Sequence, residues 1–94
     1  MILSFRSKAL EKFWWKGETH RVDSRYVKKI AQILADLDDS AEPEEMDKPA
    51  YHFHRLTGEM AGRYSVHVNK NWRLTFGWVE TGADAIEVDY EDYH

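Results

Sequence analysis

Cysteine is absent from the 94 residues, so neither a disulfide framework nor a thiolate metal site can supplement the core. Long apolar runs are absent too. Nothing approaches the roughly eighteen consecutive apolar residues of a membrane span, and Met1-Ile2-Leu3-Ser4-Phe5 lacks the extended apolar region of a secretory leader. A soluble, cytoplasmic protein with no membrane partner is therefore expected. Proline is scarce, and both copies, Pro43 and Pro49, fall between residues 40 and 50. Positive charge is in deficit: 13 Lys and Arg face 17 Asp and Glu, a formal net charge of −4. That total would disfavour a nucleic-acid partner if the charges were evenly mixed.

They are segregated instead. Residues 1–29 hold eight Lys or Arg against three acids, and residues 48–73 hold five against one. Residues 36–47 contain seven acids and no base, and residues 80–92 contain six acids and no base. If the two basic blocks share a face, phosphate binding survives the negative total. A chain this short buries only about 60–65% of its unfolded surface, so residues 1–94 are expected to make one domain. Aromatic residues must supply much of its packing.

The periodicities divide the chain. Residues 2–5 read as a short first strand. Ser7 is a candidate cap for a helix that places Leu10, Phe13 and Trp14 on one face and stops at Gly17. After Asp23 and Ser24, the positions Tyr26, Ile30, Ile33, Leu34 and Leu37 trace one side of a second helix. Asp36, Asp38 and Asp39 then sit at its C-terminal end, where the helix dipole disfavours acids. Residues 40–50 read as a loop. From Arg63 the period becomes two: Tyr64, Val66 and Val68 alternate with Arg63, Ser65 and His67. Trp72, Leu74, Phe76 and Trp78 continue this after Asn69-Lys70-Asn71, residues tolerant of the positive φ that tight hairpins demand. Gly82 marks a second turn, and Ile86, Val88 and Tyr90 form the apolar side of a last strand. An α+β fold follows, with two N-terminal helices on one face of an antiparallel sheet. The other face, carrying Arg63, Ser65, His67, Arg73, Thr75, Glu87 and Asp89, is expected to be free and polar.

These residue types suit RNA cleavage. A base must remove a ribose 2′-hydroxyl proton, a cation must stabilise the charged phosphorane, and an acid must protonate the leaving oxygen. His54, Asp92, Tyr93 and His94 are candidate proton carriers. Arg73, Arg55 and Arg63 are candidate phosphate clamps, permanently charged and able to bond two oxygens at once. Lys70, between the two asparagines of the hairpin, adds a further cation for RNA. Each has a blander reading: Arg73 as a cross-strand partner of Glu87 or Asp89, His20 and His67 as surface histidines, and Tyr64, Trp72 and Trp78 as core aromatics. His52 and His54 would share a strand face that Asp92 and His94 could approach, but no signature spacing supports a metal, and none is assigned.

His54-Arg55-Leu56-Thr57-Gly58, the run Gly62-Arg63-Tyr64-Ser65-Val66-His67-Val68-Asn69-Lys70-Asn71-Trp72-Arg73-Leu74, and the ending Val88-Asp89-Tyr90-Glu91-Asp92-Tyr93-His94 together resemble HigB-type toxins of the RelE superfamily. The resemblance extends to Ser4-Phe5-Arg6-Ser7-Lys8 and to Leu34-Ala35-Asp36-Leu37-Asp38, so it spans nearly the whole chain. It implies a RelE-like domain that cuts message on translating ribosomes without metal or cofactor. It also implies neutralisation by a HigA-like helix-turn-helix antitoxin, with operator DNA bound only through the toxin–antitoxin complex. By position, His54, Arg73, Asp92, Tyr93 and His94 fall where the family has catalytic or RNA-contacting groups. One departure stands out: Thr57 occupies the place of a lysine common in the family, and threonine cannot stabilise a phosphorane as a cation does. Two alternatives stay open, an inhibitory module on the same scaffold, as in the relatives that poison DNA gyrase, and a weakened toxin acting only through its antitoxin.

Overall fold

In the computed structural model of the chain, which describes residues 1–92, the first helix begins where Ser7 predicts it. The Ser7 hydroxyl accepts the amide hydrogen of Leu10. Helix α1 (Lys8–Lys16) closes on Gly17 at φ 70°, so the Gly17 and Glu18 amides reach back to the carbonyls of Phe13 and Lys12. Asp23 caps a 3-10 turn, Ser24–Tyr26, that runs into α2 (Val27–Asp39). Ile30, Ile33, Leu34 and Leu37 of α2 are buried with Leu10 in one cluster that also takes Val66, Leu74, Phe76 and Val88 from the sheet. Each such side chain contributes about 1.5–3 kcal/mol by leaving water. The acids expected to weaken the end of α2 find donors: Tyr51 Oη gives its hydrogen to Asp36 at 2.6 Å, and the Ile2 amide to Asp38 at 2.9 Å. The 40–50 loop contains a 3-10 turn, Pro43–Met46, that buries Met46.

Four antiparallel strands form the sheet in the order β1 (His54–Arg55), β2 (Arg63–His67), β3 (Trp72–Val79), β4 (Asp84–Asp92). The helices cover one face of it, as the periodicities imply. The β2–β3 turn is made differently from the expectation. None of Asn69, Lys70 and Asn71 takes a positive φ; instead the Asn69 side-chain oxygen accepts the amide hydrogens of Asn71 (2.7 Å) and Trp72 (2.8 Å). In the next turn it is Ala83, not Gly82, that adopts the positive φ, at 54°.

Three other expectations are corrected. Residues 2–5 do not make a regular strand; they touch β4 only through isolated parallel bridges, from Ile2 to Ala85 and from Phe5 to Val88. Ile86 is not on the core side. Thr75 pairs with Asp89 but Gly77 pairs with Ile86, so Phe76 opposes two residues, and Glu87, at φ 50°, absorbs the extra one. The alternation therefore flips at the bulge: Ala85 takes the buried position and Ile86 crosses Gly77 on the other face. Finally, that polar face is not free, since Arg63, Ser65 and Thr75 are buried on it.

Candidate active site

Register places the polar side chains in rows, because directly paired residues share a face. One row runs His54, Ser65, Thr75, Asp89 from β1 to β4; the next runs His67, Arg73, Glu91. His54 and Arg73 therefore lie on the same face, diagonal across β2, with His67 neighbouring both. The imidazoles of His54 and His67 are 6.3 Å apart, and His52, held at φ 48°, places its ring 4.7 Å from that of His67.

Arg73 is nearly enclosed, its side chain 17% exposed. Its guanidinium lies 3.9 Å from a Glu91 carboxylate oxygen and 4.0 Å from Met60 Sδ, so the Gly58–Met60 turn reaches over this end of the face. Thr75 donates its hydroxyl hydrogen to the other Glu91 oxygen. A carboxylate, a hydroxyl and a guanidinium thus converge at mid-sheet, with imidazoles along the β1–β2 side. Burial, and then the neighbouring His52, His54, Lys29 and Arg73, push His67 below the ordinary histidine value, so its neutral, proton-accepting form is favoured at pH 7.

The remaining candidates divide. Arg63 is 8% exposed, donating to Thr75 Oγ1 at 3.0 Å and to the Glu87 carbonyl at 2.8 Å. It braces the bulge, and burial followed by the nearby Arg6 pulls its pKa below the usual arginine value. Arg55 pairs in register with Tyr64, which puts it on the helix side, where it forms an ion pair with Glu44. Lys70 is exposed at the hairpin tip. Asp92 is exposed and pairs with Trp72, on the face opposite Arg73. Thr57 is exposed just before the Gly58–Met60 turn. Tyr93 and His94 lie outside the described residues. Sequence reasoning passed over Glu91 and treated His67 as a surface histidine. The alternation of the last strand gave the signal for Glu91, whereas the meeting of His67 with His52 and His54 depends on an irregular backbone no period encodes. Among the described residues, no group of three or more His, Asp or Glu is arranged to hold a metal ion.

Comparison with known proteins identifies the family and the fold. Residues 3–94 match the family of RelE-like toxins of type II toxin–antitoxin system HigB. The chain is 37% identical to Endoribonuclease HigB of Proteus vulgaris over 94 residues, covering all of both proteins. It is 32% identical to Toxin HigB-1 of Vibrio cholerae serotype O1 over 82 residues, 85% of this chain and 86% of that protein. The fold is similar to that in a heterotetrameric YoeB–YefM toxin–antitoxin complex from Staphylococcus aureus, with TM-score 0.63 and 20% identity over 100% of this chain and 98% of that one.

Proposed function

The chain belongs to the HigB family of RelE-like toxins of type II toxin–antitoxin systems, and from that premise we propose that it is an endoribonuclease cutting messenger RNA on the translating ribosome, in the cytoplasm. The observation that carries this reading is the placement of His54 and Arg73 on one sheet face. A phosphodiester lying across β2 meets a guanidinium on one side and an imidazole on the other. In the reaction a base takes the 2′-hydroxyl proton, the 2′-oxygen attacks phosphorus, the bond to the 5′-oxygen breaks, and an acid returns a proton to that oxygen. Arg73 would hold the phosphorane's charge, Glu91 would hold Arg73, and His54 would carry one of the two protons. Tyr93 and His94 are the proposed source of the other, whereas Asp92, on the opposite face, is not placed to reach this phosphate. Lys70 would meet the RNA backbone at the hairpin tip.

The partner is proposed to be a HigA-like helix-turn-helix antitoxin, and operator DNA would be reached only through the complex. The test is to incubate the purified protein with translating ribosomes and map message ends. Wild-type protein should create new ends, and His54→Ala and Arg73→Gln should each slow their appearance by about 10²-fold or more. Absence of new ends with the wild-type protein would refute the reading.

A further inference from the structure

A cavity of about 480 Å³ opens on the outer flank of the β2–β3 hairpin, lined by Lys29, Ala50, His52, His67, Asn69 and Lys70. Two ammonium groups, two imidazoles and an amide face it, and no carboxylate is among them. Its inner wall, His67, is also the register partner of Arg73, so it adjoins the proposed cleavage face. The segment that builds its outer wall is strained: Ala50 at φ 72° and His52 at φ 48° are both in a region non-glycine residues rarely occupy. The His67 amide donates to the Tyr51 carbonyl at 2.7 Å, tying that segment to β2 and holding the His52 ring against His67.

We propose that this cavity is an anion site that takes a second phosphate of the RNA backbone, adjacent to the one at Arg73, and that filling it takes up a proton on His67. The first half rests on the nuclease reading; the anion site itself does not. Among the described residues, the charged and titratable groups around His67 are Lys29 from α2, His52 before β1, His54 on β1 and Arg73 on β3, with Lys70 at the hairpin tip. Each of these is cationic or can become so. In the empty site partial burial, and then the repulsion of these neighbours, opposes protonation of His67. A phosphate entering among them reverses that balance, because its negative charge stabilises an imidazolium. Binding and protonation are therefore coupled, and affinity must rise as pH falls through the histidine range.

The experiment uses the full chain and two probes, inorganic phosphate and a trinucleotide blocked by 2′-O-methylation so that it cannot be cut. In the wild-type protein, the imidazole resonances of His52 and His67 should shift with inorganic phosphate. The trinucleotide should bind about fivefold or more tighter at pH 6 than at pH 8, as linked uptake of a proton requires. In Lys29→Gln/His52→Gln, shown folded by its thermal melt, the pH effect should shrink to about twofold or less, and the slope of log affinity against log salt should fall by about 0.7, one phosphate of a single strand. The proposal is overturned if phosphate leaves both imidazoles unmoved, a result that needs no variant. It is equally overturned if the variant keeps the wild-type affinity, slope and pH dependence. Message cleavage is scored separately: message left uncut on translating ribosomes while the blocked trinucleotide binds with this pH dependence would defeat the nuclease reading and leave the anion site standing.

Discussion

Arg63→Met separates a phosphate clamp from a structural brace. Arginine at 63 reads in sequence as an RNA contact, yet its guanidinium is buried between Thr75 and the Glu87 carbonyl at the bulge. Methionine keeps the stem and removes the charge. The Thr75 hydroxyl retains Glu91 as partner, so the loss falls chiefly on the Glu87 carbonyl, which gives up a charged donor at 2.8 Å. Such bonds are worth about 1.5–3 kcal/mol. Against this, Arg63 Nε and Nη1 are buried without a hydrogen-bond partner among the described residues, and removing an incompletely satisfied cation recovers part of the loss. A net destabilisation of about 1–2 kcal/mol results, and with about 4–8 °C per kcal/mol for a domain of this size, the midpoint should fall by roughly 5–15 °C. Thermal and urea melts measure that, and message cleavage corrected for folded fraction should stay within about threefold of wild type. An unchanged melt with cleavage lowered by 10² or more would make Arg63 a phosphate ligand and refute the reasoning.

Two further substitutions test the packing. A Cβ on Gly77 would stand 3.3 Å from Ile86 Cγ1 and 3.7 Å from Arg63 Nη1; Gly77→Ala should be nearly neutral because half-buried Ile86 can yield, whereas Gly77→Val should cost about 1–3 kcal/mol by overpacking. Ile86→Ala in the valine background should recover part of that loss in urea melts, and if it deepens the loss instead, Ile86 does not cross Gly77. Tyr51→Phe removes the bond to Asp36 and should cost about 1 kcal/mol at pH 7. Burial and that bond raise the Tyr51 phenol above its ordinary value, so its contribution is fully present below about pH 10 and is lost as pH rises beyond it. The stability gap between wild type and Tyr51→Phe should therefore narrow above pH 10, and a gap constant to pH 11 would show that the phenol is not held in its neutral form.

The elements governed by local rules were legible in the sequence. Ser7 and Gly17 bracket α1, the Ile30–Leu37 stripe gives α2, and the alternation in Arg63–His67 and Trp72–Trp78 gives two strands with the correct faces. What escaped depends on single residues with uncommon backbone angles. Glu87 at φ 50° turns Ile86 away from the core, and no count of alternating residues reveals which position will bulge. His52 at φ 48° breaks the extended stretch in which it would share a strand face with His54, yet the His52 and His54 rings lie 4.7 Å and 6.3 Å from that of His67. The burial of Ser65 and Thr75 has a different cause. Polar residues on a sheet face look solvent-facing until a long side chain such as Arg63, or a turn such as Gly58–Met60, is known to fold over them.

The negative total charge and a phosphate-binding role are compatible because the acids are used locally. Glu44 faces Arg55, Glu87 faces Arg6, Asp84 faces the N-terminal ammonium, and Glu91 is held by Thr75 and Arg73. Asp23 is the carboxylate lining the cavity on the inner side of the hairpin, beside Arg21, Arg25 and Lys70, and the Arg25 guanidinium at 2.7 Å lowers its pKa to about 2. The cavity on the outer side is lined by no carboxylate. The hairpin tip thus lines two pockets, both with more basic than acidic side chains. Physiological salt screens exposed charges beyond about 8 Å, so an approaching phosphate responds first to the groups that line these pockets. Segregation of charge along the sequence, not its sum, decides which polymer this surface can meet.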